Sequence, residues 1–284
     1  MNKTQMSNLG RMWFRFRGNR GALLSLVFII MLMFLALAGP HLNHWTYSDQ
    51  VLKNANEPPG NGYWFGTDSL GRDLFTRVWH GTRISLLIGL FTGLCSVTIG
   101  AVYGSISGFV GGLTDEIMMK IVEILYAIPF LFYVILLMLL LDPGVNTIVL
   151  SLAVVSWLGT ARIVRGQVLK IKEEEYILAA RILGAGKGRI IMRHLIPNTM
   201  GPLIVMVTVT IPDAIFAEAF LSFLGLGVSF PVASLGYLVN EGIQGIRSYP
   251  WQLLYPAVLL SLIILAFNLI ADGLRDAFDP KTNS

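Results

Sequence analysis

The amino-acid sequence predicts an all-α, polytopic membrane protein with six transmembrane helices. Three observations carry that reading. Charged residues make up 13% of the 284 and hydrophobic residues 54%, whereas a soluble domain carries about 25% charge. Runs without a charged residue, each long enough to cross a bilayer, recur along the chain. The segments between them share the basic residues very unequally, and this placement says more than the net charge of +4.

The first run covers residues 21–40 and follows Lys3, Arg11, Arg15, Arg17 and Arg20. Its 20 uncharged residues exceed the 7–15 of a signal-peptide core, and no A-x-A-like cleavage site follows. It is expected to stay attached as the first spanning helix, behind a cytoplasmic segment 1–20. Residues 41–83 then read as an extracytoplasmic loop that ends in an amphipathic helix. Asp68 or Thr67 is placed to cap it. Leu70, Leu74 and Val78 form its apolar stripe, with Asp73 and Arg77 as an i, i+4 pair. Such a helix braces the subunit or receives a partner outside.

Residues 84–284 hold five further spans. The second lies between Arg83 and Asp115 and exceeds one crossing. Along it Gly100, Gly104, Gly108 and Gly112 recur every four residues, with Gly89, Gly93 and Ser96 before them. Small-residue strips let helix backbones approach closely in lipid, either within the subunit or between subunits. The third span lies between Glu123 and Asp142, the fourth between Asp142 and Arg162. The fifth runs from Asn198 to about Leu224, and the sixth lies between Arg247 and Asp272. Six crossings put both termini on one side. That side collects sixteen of the 21 Lys and Arg and the other side five, which predicts N-in, C-in by the positive-inside rule.

Several chemistries are excluded. Cys95 is the single cysteine, and His41, His44, His80 and His194 are scattered, so neither an intrachain disulfide nor a metal cluster is expected. H-E-x-x-H and G-x-S-x-G are absent, and no catalytic residue and no nucleic-acid partner are expected. The Gly-rich stretch 184–188 looks like part of a phosphate-binding loop. Aligned on Gly186-Lys187, it puts Arg181 where G-x-x-x-x-G-K-[ST] needs Gly, and Gly188 where it needs Ser or Thr. The charged, helical sequence upstream is not a strand, so nucleotide binding by this chain is rejected.

The same stretch reads well as helices, within a cytoplasmic loop 162–198. Glu173, Glu174 and Glu175 suit a helix N-terminus. Tyr176, Ala179, Ala180 and Leu183 follow at i, i+3, i+4 and i+7, a one-sided apolar face. Gly184 and Gly186 allow a sharp turn. A second short helix carries Arg189 and Arg193, and Pro197 stops it. The expected product is a helix-turn-helix across the cytoplasmic surface, either a structural hairpin or a docking element.

This stretch resembles the coupling loop of ABC importer permeases, written E-A-A, three residues, G, nine residues, I-x-L-P. Here it reads Leu178-Ala179-Ala180, then Gly184, then His194-Leu195-Ile196-Pro197, with Leu178 in place of the Glu. Phe65-Gly-Thr-Asp-Ser-Leu-Gly-Arg-Asp73 resembles the F-G-T-D-x-x-G-R-D signature of C-type permeases of dipeptide and oligopeptide importers, which nickel and glutathione importers share. Leu221–Gly227 and Asp272–Pro280 fit the same branch. The resemblance implies the type I ABC importer permease fold in a bacterial cytoplasmic membrane. It implies a second homologous permease, two cytosolic ATPases holding ATP and Mg, an extracytoplasmic solute-binding protein, and no cofactor in this chain. Short peptides are the implied cargo, with nickel or glutathione as alternatives. A channel or carrier working without an ATPase is a further alternative. It also implies that Glu175, Tyr176, Leu178, Ala179, Ala180, Leu183, Gly184, Gly186, Arg189 and Pro197 form the ATPase-coupling surface.

Two carboxylates interrupt the fifth span, Asp213 and Glu218. Charges at such depth are costly and face a bundle interior or a water-filled cavity. Five residues apart, they lie about 140° apart on a helix, so they do not share one narrow pore. Both are candidates for the translocation pathway, Asp213 the deeper of the two, where it would meet a peptide's amino terminus; pairing within the bundle is the competing reading.

Overall fold

The computed structural model describes residues 8–278 except 61, 143 and 229–231. Among them no strand is present, and five single helices are long and apolar enough to cross a membrane. They are α2 (Arg20–Ala38, whose apolar stretch continues to His41), α3 (Leu74–Val110), α6 (Val145–Ile171), α10 (Met200–Phe223) and α12 (Trp251–Phe278). A broken pair, α4 (Gly112–Ala127) and α5 (Phe130–Leu140), bent by 83°, is long and apolar enough to count as a sixth when the two are taken together. The break has a local cause. Pro129 removes a backbone donor and forces Ile128 into extended geometry (φ −81°, ψ 123°). Helix α4 starts at Gly112, ahead of the Glu123 that bounds the third uncharged run, and Asp115 in its first turn is paired. Its carboxylate takes a bidentate pair from Arg165 at 2.6 Å each and a hydrogen bond from Ser107.

At 37 residues α3 is about 55 Å long and forms the spine. The glycine strip explains how α6 and α10 reach it. A Cβ on Gly100 would lie 2.6 Å from Thr160 Cβ, and one on Gly108 3.0 Å from the Arg165 carbonyl oxygen; one on Gly104 would overlap the Ala161 carbonyl. On another part of the helix Gly89 and Gly93 face Ile211, Ile215 and Val207 of α10. These five glycines therefore pack within the subunit. Gly112, at φ +55° with open space beside it, begins α4 instead.

The amphipathic helix expected before the second span is the first turns of α3 itself. Asp73 caps it by accepting from the Thr76 backbone N–H (2.8 Å), and Leu74 and Val78 are buried. Asp68 is not the cap. It accepts from the backbone N–H of Leu70 and Arg72 and from the guanidinium groups of Arg72 and Arg77. Both arginines also reach Glu241 at 2.9 Å, so Arg77 pairs with Asp68 and Glu241 rather than with Asp73. Glu241 belongs to α11 (Leu235–Gln244), a short helix that packs on α10 and α12 at the same end of the bundle. Gly66 (φ +77°) and Gly71 (φ +71°) let the 65–73 loop turn against the Glu57 and Val51 carbonyls. The other end of the bundle carries α1 (Asn8–Gly18), whose Phe16 is buried against α12, and the 175–198 hairpin.

Candidate functional site: an exposed hairpin and two membrane carboxylates

The hairpin consists of α7 (Glu175–Ile182), α8 (Lys187–Ile190), a π turn (Ile191–Leu195) and α9 (Ile196–Asn198). Its anchoring is one-sided. Ile177, Ile190, Ile191 and Leu195 are buried in a cluster with Phe109 of α3, Val164 and Val168 of α6 and Leu203 of α10. The predicted apolar face points the other way. Tyr176 is 44% exposed, Leu178 41% and Leu183 86%, and Ala179 is exposed beside the half-buried Ala180. An apolar face anchors a hairpin when it turns inward; here Ile177 takes that part, and the Tyr176–Leu183 face remains uncovered.

The turn is built as expected. Leu183 ends α7, Gly184 adopts φ +80°, and the Gly184 and Ala185 N–H groups donate to the Arg181 and Ala180 carbonyls, both at 3.0 Å. This is a Schellman closure. No atom lies within 4 Å of a Cβ built on Gly184, Gly186 or Gly188, so the tip is smooth and unfilled. Glu175, Lys187, Arg189 and Arg193 are exposed around it. Arg181 lies over the Phe109 ring at 4.7 Å, which fixes α7 on α3. Burial, and then the nearby Glu174 carboxylate, push the Tyr176 phenol above its ordinary pKa, so it stays a neutral donor.

Pro197 does not stop the second helix. It sits in the first turn of α9, where its missing N–H is tolerated. The preceding turn relaxes to π geometry, and a helical path continues into α10 through Thr199. The hairpin is thus joined to the start of a membrane span with little slack.

The two carboxylates of α10 separate as their wheel positions require. Asp213 lines a cavity of about 310 Å³ between α3, α6, α10 and the α4–α5 break. Glu218 does not reach that cavity. It is completely buried, and the hydroxyls of Ser222 (2.8 Å), Ser234 (2.5 Å) and Ser85 (3.3 Å) donate to it. Ser234 also caps α11, and Ser85 accepts from the Leu235 N–H. Glu218 therefore joins α10, α3 and α11, the pairing within the bundle that competed with a place on the pathway. The signal for this was in the sequence as Ser222, four residues on and one helical turn away; Ser85 and Ser234 come from distant segments and had no local signature. Sequence reasoning likewise missed Thr92, Tyr126 and Ser156, which line the same cavity as Asp213.

Comparison with known proteins agrees with this geometry. Residues 100–284 match the family described as binding-protein-dependent transport system inner membrane component, and residues 7–59 match the N-terminal TM domain of oligopeptide transport permease C. The chain is 48% identical over 267 residues to the oligopeptide transport system permease protein OppC of Bacillus subtilis, covering 94% of this chain and 88% of that one. It is 50% identical to the dipeptide transport system permease protein DppC of the same organism, covering 95% and 84%. With Escherichia coli OppC it shares 42% over 94% of this chain and 89% of the relative. A chain of the inward-facing MetNI methionine ABC transporter has the same fold, at TM-score 0.53 and 19% identity over 70% of this chain and 95% of that one. An uncovered hairpin seated on three spans, an all-helical fold with five to six candidate membrane spans among the described residues and this depth of similarity lead to one assignment: the chain belongs to the family of inner-membrane permease components of binding-protein-dependent ABC importers.

Proposed function

We propose that this chain is one of two homologous permeases in an importer of short peptides. Two cytosolic ATPases and an extracytoplasmic binding protein complete the complex. The relatives named as oligopeptide and dipeptide permeases support the cargo class over nickel or glutathione. The N-in, C-in orientation follows from the basic residues, most of which sit at the hairpin end and its flanks. The chain supplies no catalytic group and holds no cofactor; ATP and Mg belong to the ATPases. Localisation is the bacterial cytoplasmic membrane.

The observation that carries the coupling role is the reversed hairpin. Its apolar Tyr176–Leu183 face is uncovered while Ile177, Ile190 and Leu195 fix it to α3, α6 and α10. A groove on the ATPase that takes this face and moves on closing ATP would displace α3, α6 and α10 together. Glu175, Tyr176, Leu178, Ala179, Ala180, Leu183, Gly184, Gly186 and Arg189 form the docking surface, and Pro197 the joint to α10. Asp213, rather than Glu218, lies on the pathway.

The test is Ala180→Glu, and Gly184→Glu beside it, in the assembled complex. Either puts a charged side chain on a surface that must be desolvated. Membrane insertion and complex assembly in detergent are expected to persist, while ATP hydrolysis stimulated by loaded binding protein is lost. Cargo-stimulated hydrolysis at the wild-type rate in both variants would refute the docking role.

A further inference from the structure

Helix α2 is pinned at both ends and leaves a gap against α3 in between. At the α11 end Gly39 meets α3, where an added Cβ would lie 2.5 Å from the Trp79 ring. At the hairpin end a Cβ on Gly273 of α12 would overlap Ala22. Between these contacts a groove of about 320 Å³ opens. Ile29, Met33 and Leu37 of α2 form one wall, Leu87 and Leu90 of α3 the other, and the buried Ile211 of α10 lies between them. Met33, Leu37 and Leu90 are exposed, so the groove opens to the outside of the bundle.

Arg83 is the one charged residue in this lining, and it makes no hydrogen bond or ion pair among the described residues. Arg72 and Arg77, at the same end of the bundle, are neutralised by Asp68 and Glu241. The exposed Arg83 has no such carboxylate. It stands at the end of the groove where Leu37 lies, near the start of α3 and the close of α2. From Ile29 to Leu37 the wall is about 12 Å long, within the ~15 Å of hydrocarbon in one leaflet.

An empty slot forfeits the dispersion contacts of its walls. Water finds no polar side chain there except Arg83, at one end. A side chain from a neighbouring helix fills a spot rather than a slot of this length. A fatty acyl chain lies along it, and a guanidinium at the end matches the phosphate above such a chain in charge and geometry. We propose that the groove holds one acyl chain of an anionic phospholipid, with its phosphate on Arg83. The chain completes the packing of α2 against α3. Headgroup choice follows from charge: a phosphatidylglycerol brings net negative charge to Arg83, whereas a phosphatidylcholine carries its own cation beside the phosphate. The headgroup lies at the α11 end, in the outer leaflet under the N-in, C-in reading; the groove itself depends neither on that reading nor on the cargo.

The experiment uses a phosphatidylglycerol and a phosphatidylcholine that carry the same diazirine-bearing acyl chain. Each is added to nanodiscs holding either the full chain alone or the complete complex, and labelled peptides are identified by mass spectrometry. Groove residues of α2 and α3 are expected to be labelled about three- to fivefold more by the phosphatidylglycerol, the order of an ion pair at a wet boundary. Arg83→Gln should bring the two lipids level in the groove, while Arg83→Lys keeps most of the preference. Labelling near Arg15 and Arg17 of α1 should be unchanged in both variants, which separates loss of this site from a general loss of lipid binding. An unlabelled groove, equal labelling by the two lipids in wild type, or a preference that survives Arg83→Gln would overturn the site. So would a groove labelled in the chain alone but silent in the complex, which would give this face to the second permease. Each of these results leaves the permease reading standing.

Discussion

Replacing Gly104 by Ala tests the packing that holds the spans together. On α3 this residue faces α6, and an added Cβ would overlap the Ala161 carbonyl oxygen and stand 3.0 Å from the Arg165 nitrogen and Val164 Cβ. Two of these neighbours are backbone atoms of a continuous helix, so no rotamer change relieves the contact. The helices must separate by several tenths of an ångström. The separation also loosens Gly100 against Thr160 and Gly108 against Val168, one turn to each side. Overpacking of this kind costs about 1–3 kcal/mol. Gly166 is the control. It also lies inside a span, on α6, but has nothing within 4 Å of its Cβ position, so Ala there should be neutral or stabilise by up to about 1 kcal/mol through helix propensity. For a chain of this size 1 kcal/mol corresponds to roughly 2–4 °C. Thermal unfolding of the purified protein in detergent, followed by intrinsic fluorescence, should therefore put Gly104→Ala several degrees below wild type and Gly166→Ala at or above it. Equal midpoints for the two variants would refute the claim that the glycine strip is an intrasubunit helix contact.

Two further outcomes are expected. Glu218→Leu leaves the hydroxyls of Ser85, Ser222 and Ser234 without their acceptor and should lower stability by about 1–3 kcal/mol, while Glu218→Gln retains most of it; thermal unfolding of both variants in detergent checks this, and a Leu variant as stable as wild type would contradict the clamp. In a Cys95→Ser background, a cysteine at the exposed Leu52 should react with an impermeant maleimide added to intact cells and one at Lys187 should not; labelling of Lys187 from outside would reverse the orientation. Asn61, in the same loop, lies outside the described residues.

Most of the fold was legible because membrane spans announce themselves by what they lack. The runs bounded by Arg20, Arg83, Asp142 and Arg247 map onto α2, α3, α6 and α12. Where a charge lay inside a span, the bounds moved. Helix α4 begins at Gly112, ahead of Glu123, and takes in Asp115, which Arg165 holds from fifty residues away, a pairing that leaves no local trace. The 83° break at Pro129 was legible in principle, since the residue before a proline leaves the helical region. Of the site, the hairpin and its Gly184 turn could be read from periodicity and the glycine alone. What could not be read was which way its apolar face points. That depends on Ile177 finding Phe109, Val164 and Val168, a tertiary fact. The cavity at Asp213 was legible only as a costly carboxylate; Thr92, Tyr126 and Ser156 in its lining come from helices far apart in sequence.

The outward face of α7 is proposed to seat an ATPase. A photocrosslinking amino acid at Leu183, 86% exposed at the tip of the hairpin, tests it directly in membranes that contain the assembled complex. A crosslink to the cytosolic ATP-binding subunit is expected, its yield changing when ATP is trapped on it, with none from the same probe at Leu52 on the opposite end. An active complex that gives no ATPase crosslink from Leu183, or gives one from Leu52, would contradict it.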